Sequence, residues 1–149
     1  MSARLSLTLV ALTLSIGATA IATTLPAQAG DSYVSIDQRG WANGAAGSQR
    51  GYRNRLTVYQ DGNRNSANSR QYGSHNRAVV GQSGNSNSAS TYQNGHGNIS
   101  GVAQFGSGHT VVTSQDGNGN AVGVIQAGRN NRATTTQVGA GNVSVIVQD

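Results

Sequence analysis

From Ser32 onward the polar and apolar positions of the chain return with a period of eleven residues. The motif Gln-x-Gly-x-x-Asn begins at Gln38 and recurs at Gln49, Gln60, Gln71, Gln82, Gln93, Gln104, Gln115, Gln126 and Gln137, and Gln148 opens one more unit. Its glycines are Gly40, Gly51, Gly62, Gly73, Gly84, Gly95, Gly106, Gly117, Gly128 and Gly139. Its asparagines are Asn43, Asn54, Asn65, Asn76, Asn87, Asn98, Asn120, Asn131 and Asn142, with His109 standing once in the Asn place. No insertion interrupts the register, and a repeat kept in phase marks a stacked architecture. Between an Asn and the next Gln the residues alternate, as in Asn54-Arg55-Leu56-Thr57-Val58-Tyr59-Gln60. Alternation of this kind predicts a strand with one buried face, so Asn54, Leu56, Val58 and Gln60 point inward together. The intervening x-Gly-x-x predicts a four-residue turn, with Gly supplying a positive φ.

A second period lies inside the first. The two inward positions between Asn and Gln read Val34/Ile36, Ala45/Gly47, Leu56/Val58, Ala67/Ser69, Ala78/Val80 and Ala89/Thr91, and continue as Ser100/Val102, Val111/Thr113, Val122/Val124, Ala133/Thr135 and Ser144/Ile146. In alternate rows the second member is Val or Ile, and in the rows between it is Gly, Ser or Thr. The full repeat is therefore twenty-two residues, two strands to a coil, with large residues facing small ones across the core. The expected fold is all-β: a β-solenoid of about five and a half two-strand coils with two parallel sheets face to face, about 25 Å tall at roughly 4.8 Å per coil. Inward Gln amides must find partners in so thin a core, because a buried amide left unpaired costs about 1–3 kcal/mol. Stacking each Gln on the identical Gln one coil away predicts two ladders, and the Asn residues line the corners as further ladders.

Ahead of the repeats lies a different kind of segment. Arg4 precedes an uncharged run from Leu5 to Leu25, and Pro26 and Ala27-Gln28-Ala29 follow. A positive start, an apolar stretch and small residues two apart predict a secretory signal peptide over residues 1–29, cut after Ala29, and a repeat domain over residues 30–149. Composition narrows the function classes. Of 149 residues 10% are charged, all acids are Asp, all bases are Arg, and Cys is absent. Thiolate metal sites and disulfides are thereby excluded. Removal of Arg4 with the leader leaves a net charge of +4.

The pattern Ser/Asn-x5-Gln-x-Gly-x-x-Asn-x5-Gln resembles the curlin repeat of curli amyloid fibre subunits, from Ser32 to Gln148, with His109 the single departure. The resemblance implies a secreted structural subunit that self-assembles on the bacterial surface into fibres for adhesion and biofilm formation. It also implies a nucleator curlin, an outer-membrane export pore and periplasmic accessory proteins as partners. The intact final rows, Asn131–Gln137 and Asn142–Gln148, favour a major-type subunit over the minor nucleator. The repeats begin within three residues of the expected cut, without the Gly/Asn-rich export segment of the family's major subunit.

Other chemistry is thin. His75 and His96 fall in turns of adjacent coils, without a nearby carboxylate, and read as solvated residues rather than metal ligands. No Gly-x-Ser-x-Gly elbow or carboxylate cluster points to an enzyme, and no cofactor is expected. Seven Arg (39, 50, 53, 55, 64, 70 and 77) gather before residue 80. They serve as gatekeepers on outward faces, or attract matrix polysaccharide or DNA. The competing function is a soluble, monomeric β-solenoid that binds a surface such as ice or polysaccharide. An ice binder would present outward Thr ladders, and Thr134/Thr136 is the one such pair.

Overall fold

Alternating inward side chains and glycine punctuation give strands and little else. The computed structural model describes residues 10–14, 21–24 and 31–149. The described residues hold thirteen strands and no helix: β1 (Val10–Leu14), β2 (Ile21–Thr24), β3 (Tyr33–Trp41), β4 (Gly44–Tyr52), β5 (Arg55–Asn63), β6 (Ser66–Ser74), β7 (Arg77–Asn85), β8 (Ser88–His96), β9 (Ile99–Ser107), β10 (Thr110–Asn118), β11 (Ala121–Arg129), β12 (Arg132–Ala140) and β13 (Val143–Gln148). Odd strands form one parallel sheet, β1-β3-β5-β7-β9-β11-β13, and even strands form the other, β12-β10-β8-β6-β4-β2. From β3 onward each strand pairs with the one twenty-two residues later, Gln opposite Gln and Gly opposite Gly. This is the expected two-strand-per-coil solenoid.

The core is a single file of small and medium side chains between the sheets: Val34, Ile36, Ala45, Leu56, Val58, Ala67, Ala78, Val80, Ala89, Val102, Val111, Val122, Val124 and Ala133. Large meets small across it. A methyl group on Gly47 would press into the Leu56 side chain, so the glycine makes room for the leucine of the opposite sheet. Where both rows are polar they bond instead, as Ser100 Oγ does with Thr113 Oγ1 at 3.1 Å.

The turns differ from expectation. Strands β3 to β12 are each nine residues long and run on through the glycine, so that β5 ends at Asn63 and the corner proper is Arg64 and Asn65 alone. Two backbone inversions make this possible. One is the motif glycine, such as Gly84 at φ +117°; the other lies two residues on, at Ala42, Arg53, Arg64, His75, Ser86, Gly97, Gly108, Gly119, Asn130 and Gly141. The first bends the chain without leaving the ladder, so pairing continues around the bend. Steric contact adds a second reason for glycine there. A Cβ on Gly84 would overlap the carbonyl oxygen of Gly106, its neighbour one coil away.

The segment before the repeats lies outside the register. β1 joins β3 with Val10 opposite Val34, and β2 joins β4 with Ile21 opposite Gly44, offsets of 24 and 23 rather than 22. The expected cut after Ala29 lies outside the described residues. Both strands occupy edges that the repeat array leaves open at its N-terminal end, where unpaired N–H and C=O groups accept any β-capable segment.

Glycine positions are therefore not equivalent. Gly84→Ala should abolish β-structure, because positive φ and coil contact both reject a side chain, whereas Gly123→Ala meets no atom within 4 Å and should be tolerated. Circular dichroism and fibre yield of the two variants, compared side by side, check this.

Candidate functional site: two open ends of a self-satisfying ladder

Inward glutamines sit at the end of each alternating run, where the strand begins to bend, and their side chains lie across the core. Each Nε2 donates to Oε1 of the Gln one coil on, at 2.6 Å from Gln38 to Gln60 and 3.1 Å from Gln104 to Gln126. The first ladder is Gln38, Gln60, Gln82, Gln104, Gln126 and Gln148. The second is Gln49, Gln71, Gln93, Gln115 and Gln137. The remaining amide hydrogen goes where periodicity alone did not place it. Gln60 Nε2 donates at 3.1 Å to the carbonyl of Gly44, and Gln82 Nε2 at 3.0 Å to that of Ser66, both on the opposite sheet. The same bond recurs up the stack and ties the two sheets together at their corners.

The asparagines act differently from the expected amide-on-amide ladder. Asn43 Oδ1 accepts the backbone N–H of Asn65 at 2.9 Å, and Asn43 Nδ2 donates to the carbonyls of Arg39 and, in the next coil, Gly62. Asn54, Asn65, Asn76, Asn87, Asn98 and Asn120 repeat the bond to the glycine carbonyl one coil on. Their chief partners are backbone groups; direct Asn–Asn amide bonds join Asn98, Asn120 and Asn142. The reason is the corner itself, where the inverted backbone turns its N–H and C=O groups toward the Asn rather than toward a strand neighbour. Ser32 plays the part at the first coil, its Oγ accepting from Asn54 N–H at 3.2 Å. His109 is fully buried in the Asn place and is satisfied there. Its Nε2 lies 3.1 Å from the Phe105 carbonyl and its Nδ1 3.2 Å from the Asn131 N–H. The tautomer with Nε2–H donating and Nδ1 accepting reproduces two of the three asparagine bonds, the bond to the glycine carbonyl one coil on being left out.

At the C-terminal end the pattern is cut across. Asn131 and Asn142 keep the bond to their own coil, at Ala127 and Val138. Gly128 and Gly139 meet no glycine carbonyl of a further coil. Gln148 and Asn142 are partly exposed or exposed, and the outward Val143, Val145 and Val147 are 75%, 71% and 62% exposed. At the other end Gln49 Oε1 is buried without a partner among the described residues. One end thus presents amide donors and open strand edges, and the other, where β1 and β2 lie along β3 and β4, holds a buried acceptor.

Charge and aromatic side chains gather on the outer surface of the first coils. Arg55 stacks on Tyr33 at 5.2 Å, Arg39 on Tyr59 at 5.6 Å, and Arg53 on Tyr52 at 4.5 Å, while Trp41 is 66% exposed. Arg55 and Arg77, twenty-two residues apart, occupy the same place on adjacent strands of one sheet. The Tyr partners were missed in the sequence, although Tyr33 and Arg55 stand twenty-two residues apart. His75 and His96 meet at a corner with centroids 4.9 Å apart and ring planes tilted by 59°, His75 also meeting Tyr52 and His96 bonding Ser74 Oγ at 2.8 Å. Among the described residues no three His, Cys, Asp or Glu side chains come together in a way that could hold a metal.

Loss of one rung should be felt along the ladder. Gln82→Ala unpairs Gln60 Nε2 and Gln104 Oε1, about 1–3 kcal/mol for each, whereas Ser90→Ala on the outer face should change little. His109→Ala should destabilise similarly and His109→Asn should not. The denaturant concentration that dissolves the β-structure of each variant measures these differences.

The family model described as Curlin associated repeat matches the chain at residues 51–84, 62–90, 84–116 and 110–139, together more than half of its length. No curated protein matches it.

Proposed function

The chain belongs to the curlin family, and from that premise we propose that it is an extracellular structural subunit that polymerises head to tail into amyloid fibres serving adhesion and biofilm formation. A single observation carries the reading. The C-terminal end offers Gln donors and Asn groups that lack a further coil, and the N-terminal end offers the Gln49 acceptor, on strands of matching spacing. A second copy satisfies both at once, and a contact between unlike ends does not close on itself but continues as a filament. The family's β-solenoids are structural rather than enzymatic, and no cofactor is needed for any step.

In this reading residues 1–29 are a signal peptide whose removal frees the edges of β3 and β4, and the subunit is of the major type. A nucleator curlin would supply the first open edge, while an export pore and periplasmic accessory proteins would deliver the chain unfolded. The Arg-rich outer face of the first coils, with its Tyr and Trp neighbours, suits polyanions of the matrix such as DNA or acidic polysaccharide. Stacked Arg55 and Arg77 also repel, so salt should shorten the lag before growth. The competing reading, a soluble surface-binding solenoid, draws no support from the outer faces, which carry no Thr array beyond Thr134 and Thr136 among the described residues.

The full chain expressed in a secreting host should yield extracellular fibres that bind thioflavin and diffract at about 4.8 Å. An extracellular product that stays monomeric at high concentration overturns the proposal. Deleting Asn142–Asp149 should reduce fibre growth at least tenfold, because it removes the terminal Gln148 donor and the last strand edge.

A further inference from the structure

The repeat array, β3 to β13, has an odd number of strands: six lie on the first sheet and five on the second. The first sheet therefore ends one row beyond the second. β13 covers β11, while the next row over β12 is vacant among the described residues. A following copy added by translation alone can meet one of these edges and not the other. Stacked on β13, it leaves a missing row above β12; lowered onto β12, it collides with β13.

Each eleven-residue unit is related to the next by a half turn about the solenoid axis, since successive strands alternate between the two sheets. Eleven half turns leave one half turn over. We propose that successive subunits in the fibre are related by a two-fold screw: each copy is turned by 180° about the fibre axis, so that the next copy's Tyr33–Trp41 strand pairs with β12 and its Gly44–Tyr52 strand pairs with β13. This rests on the head-to-tail assembly proposed above and specifies its interface.

The junction then continues both Gln ladders. Gln148 is brought under Gln49 of the next copy, whose buried Oε1 takes the Nε2 donor, and Gln137 is brought under Gln38. Inside a subunit the first inward residue of one strand faces the second of the opposite strand, as Gly47 does Leu56 and Ser100 does Thr113. Under the screw, the incoming Ile36 comes opposite the small Ser144, while Val34 comes opposite Ile146, so one of the two inward pairs at the junction sets large against large. On the outside, Arg132 lies beside the incoming Tyr33 in the register that sets Arg55 on Tyr33 within one chain. Translation would instead set Val143 beside that tyrosine.

The chain has no cysteine, so disulfide trapping reads the junction directly. The screw places Ser35 of one copy beside Thr134 of its neighbour, at the separation of paired strands, which a disulfide spans. Translation places Ser35 beside Val145. Within one chain Ser35 lies on the first repeat strand of one sheet and Thr134 on the last strand of the other, so neither pair closes internally. Fibres of the full-length Ser35→Cys/Thr134→Cys chain, recovered from a secreting host and oxidised, should run as a ladder of covalent multimers on a non-reducing denaturing gel. Fibres of Ser35→Cys/Val145→Cys should run as monomer. Cross-linking of the second pair, or of neither pair in well-formed fibres, overturns the screw while leaving assembly intact; absence of fibres from the wild-type chain overturns the assembly reading itself. Helical reconstruction of wild-type fibres should find a rotation near 180° with a rise of about 26 Å, five and a half coils at roughly 4.8 Å.

Discussion

Everything in this molecule depends on the need of a buried glutamine amide for partners. Two carboxamide hydrogens and an oxygen lie in a core too thin to reach water, and leaving them unpaired costs about 1–3 kcal/mol each. Three constraints meet in one solution. The oxygen takes the Nε2 of the preceding coil, one hydrogen goes to the next coil, and the other goes to a carbonyl of the opposite sheet. That solution requires strict register, because a shift of one residue turns every Gln outward. It also requires parallel strands, because it is parallel stacking that sets identical side chains upon one another.

Polarity follows from the same bond. Since every Nε2 points toward the C-terminal coil, the stack has a donor end and an acceptor end. A finite stack leaves both incomplete. Many solenoids cover such ends with polar capping repeats; the described residues include no helix that could cover one. The strands β1 and β2 occupy the N-terminal edges out of the twenty-two-residue register. In the proposed fibre, the interaction that stabilises the subunit is also the one that joins it to the next.

Glycine and asparagine make the corners compatible with this ladder. The motif glycine accepts positive φ and lets the coils approach so closely that a Cβ would overlap the next coil's carbonyl. The asparagine then collects the backbone groups that the bend has turned away from their strand neighbours. His109 shows that donor–acceptor order matters as well as residue type, since an imidazole in one tautomer serves two of the three asparagine partners.

The eleven-residue period, read alone, determined the solenoid, the inward face of each strand, the two Gln ladders, the pairing of large rows with small ones and the family. These follow from alternation and spacing, which are one-dimensional properties. Tertiary structure decided the rest. The strands run through the glycine instead of stopping at Gln, because a positive φ bends the backbone while its hydrogen bonds to the neighbouring coil persist. The second left-handed position, held by residues as different as Ala42, Arg64 and Asn130, leaves little trace in residue type until glycine takes it over from Gly97. The destination of the second Gln hydrogen and the backbone partners of Asn depend on distances across the corner, between residues sixteen and nineteen apart in the chain. Those distances are set by the two inverted dihedrals, and no periodicity of side chains encodes them.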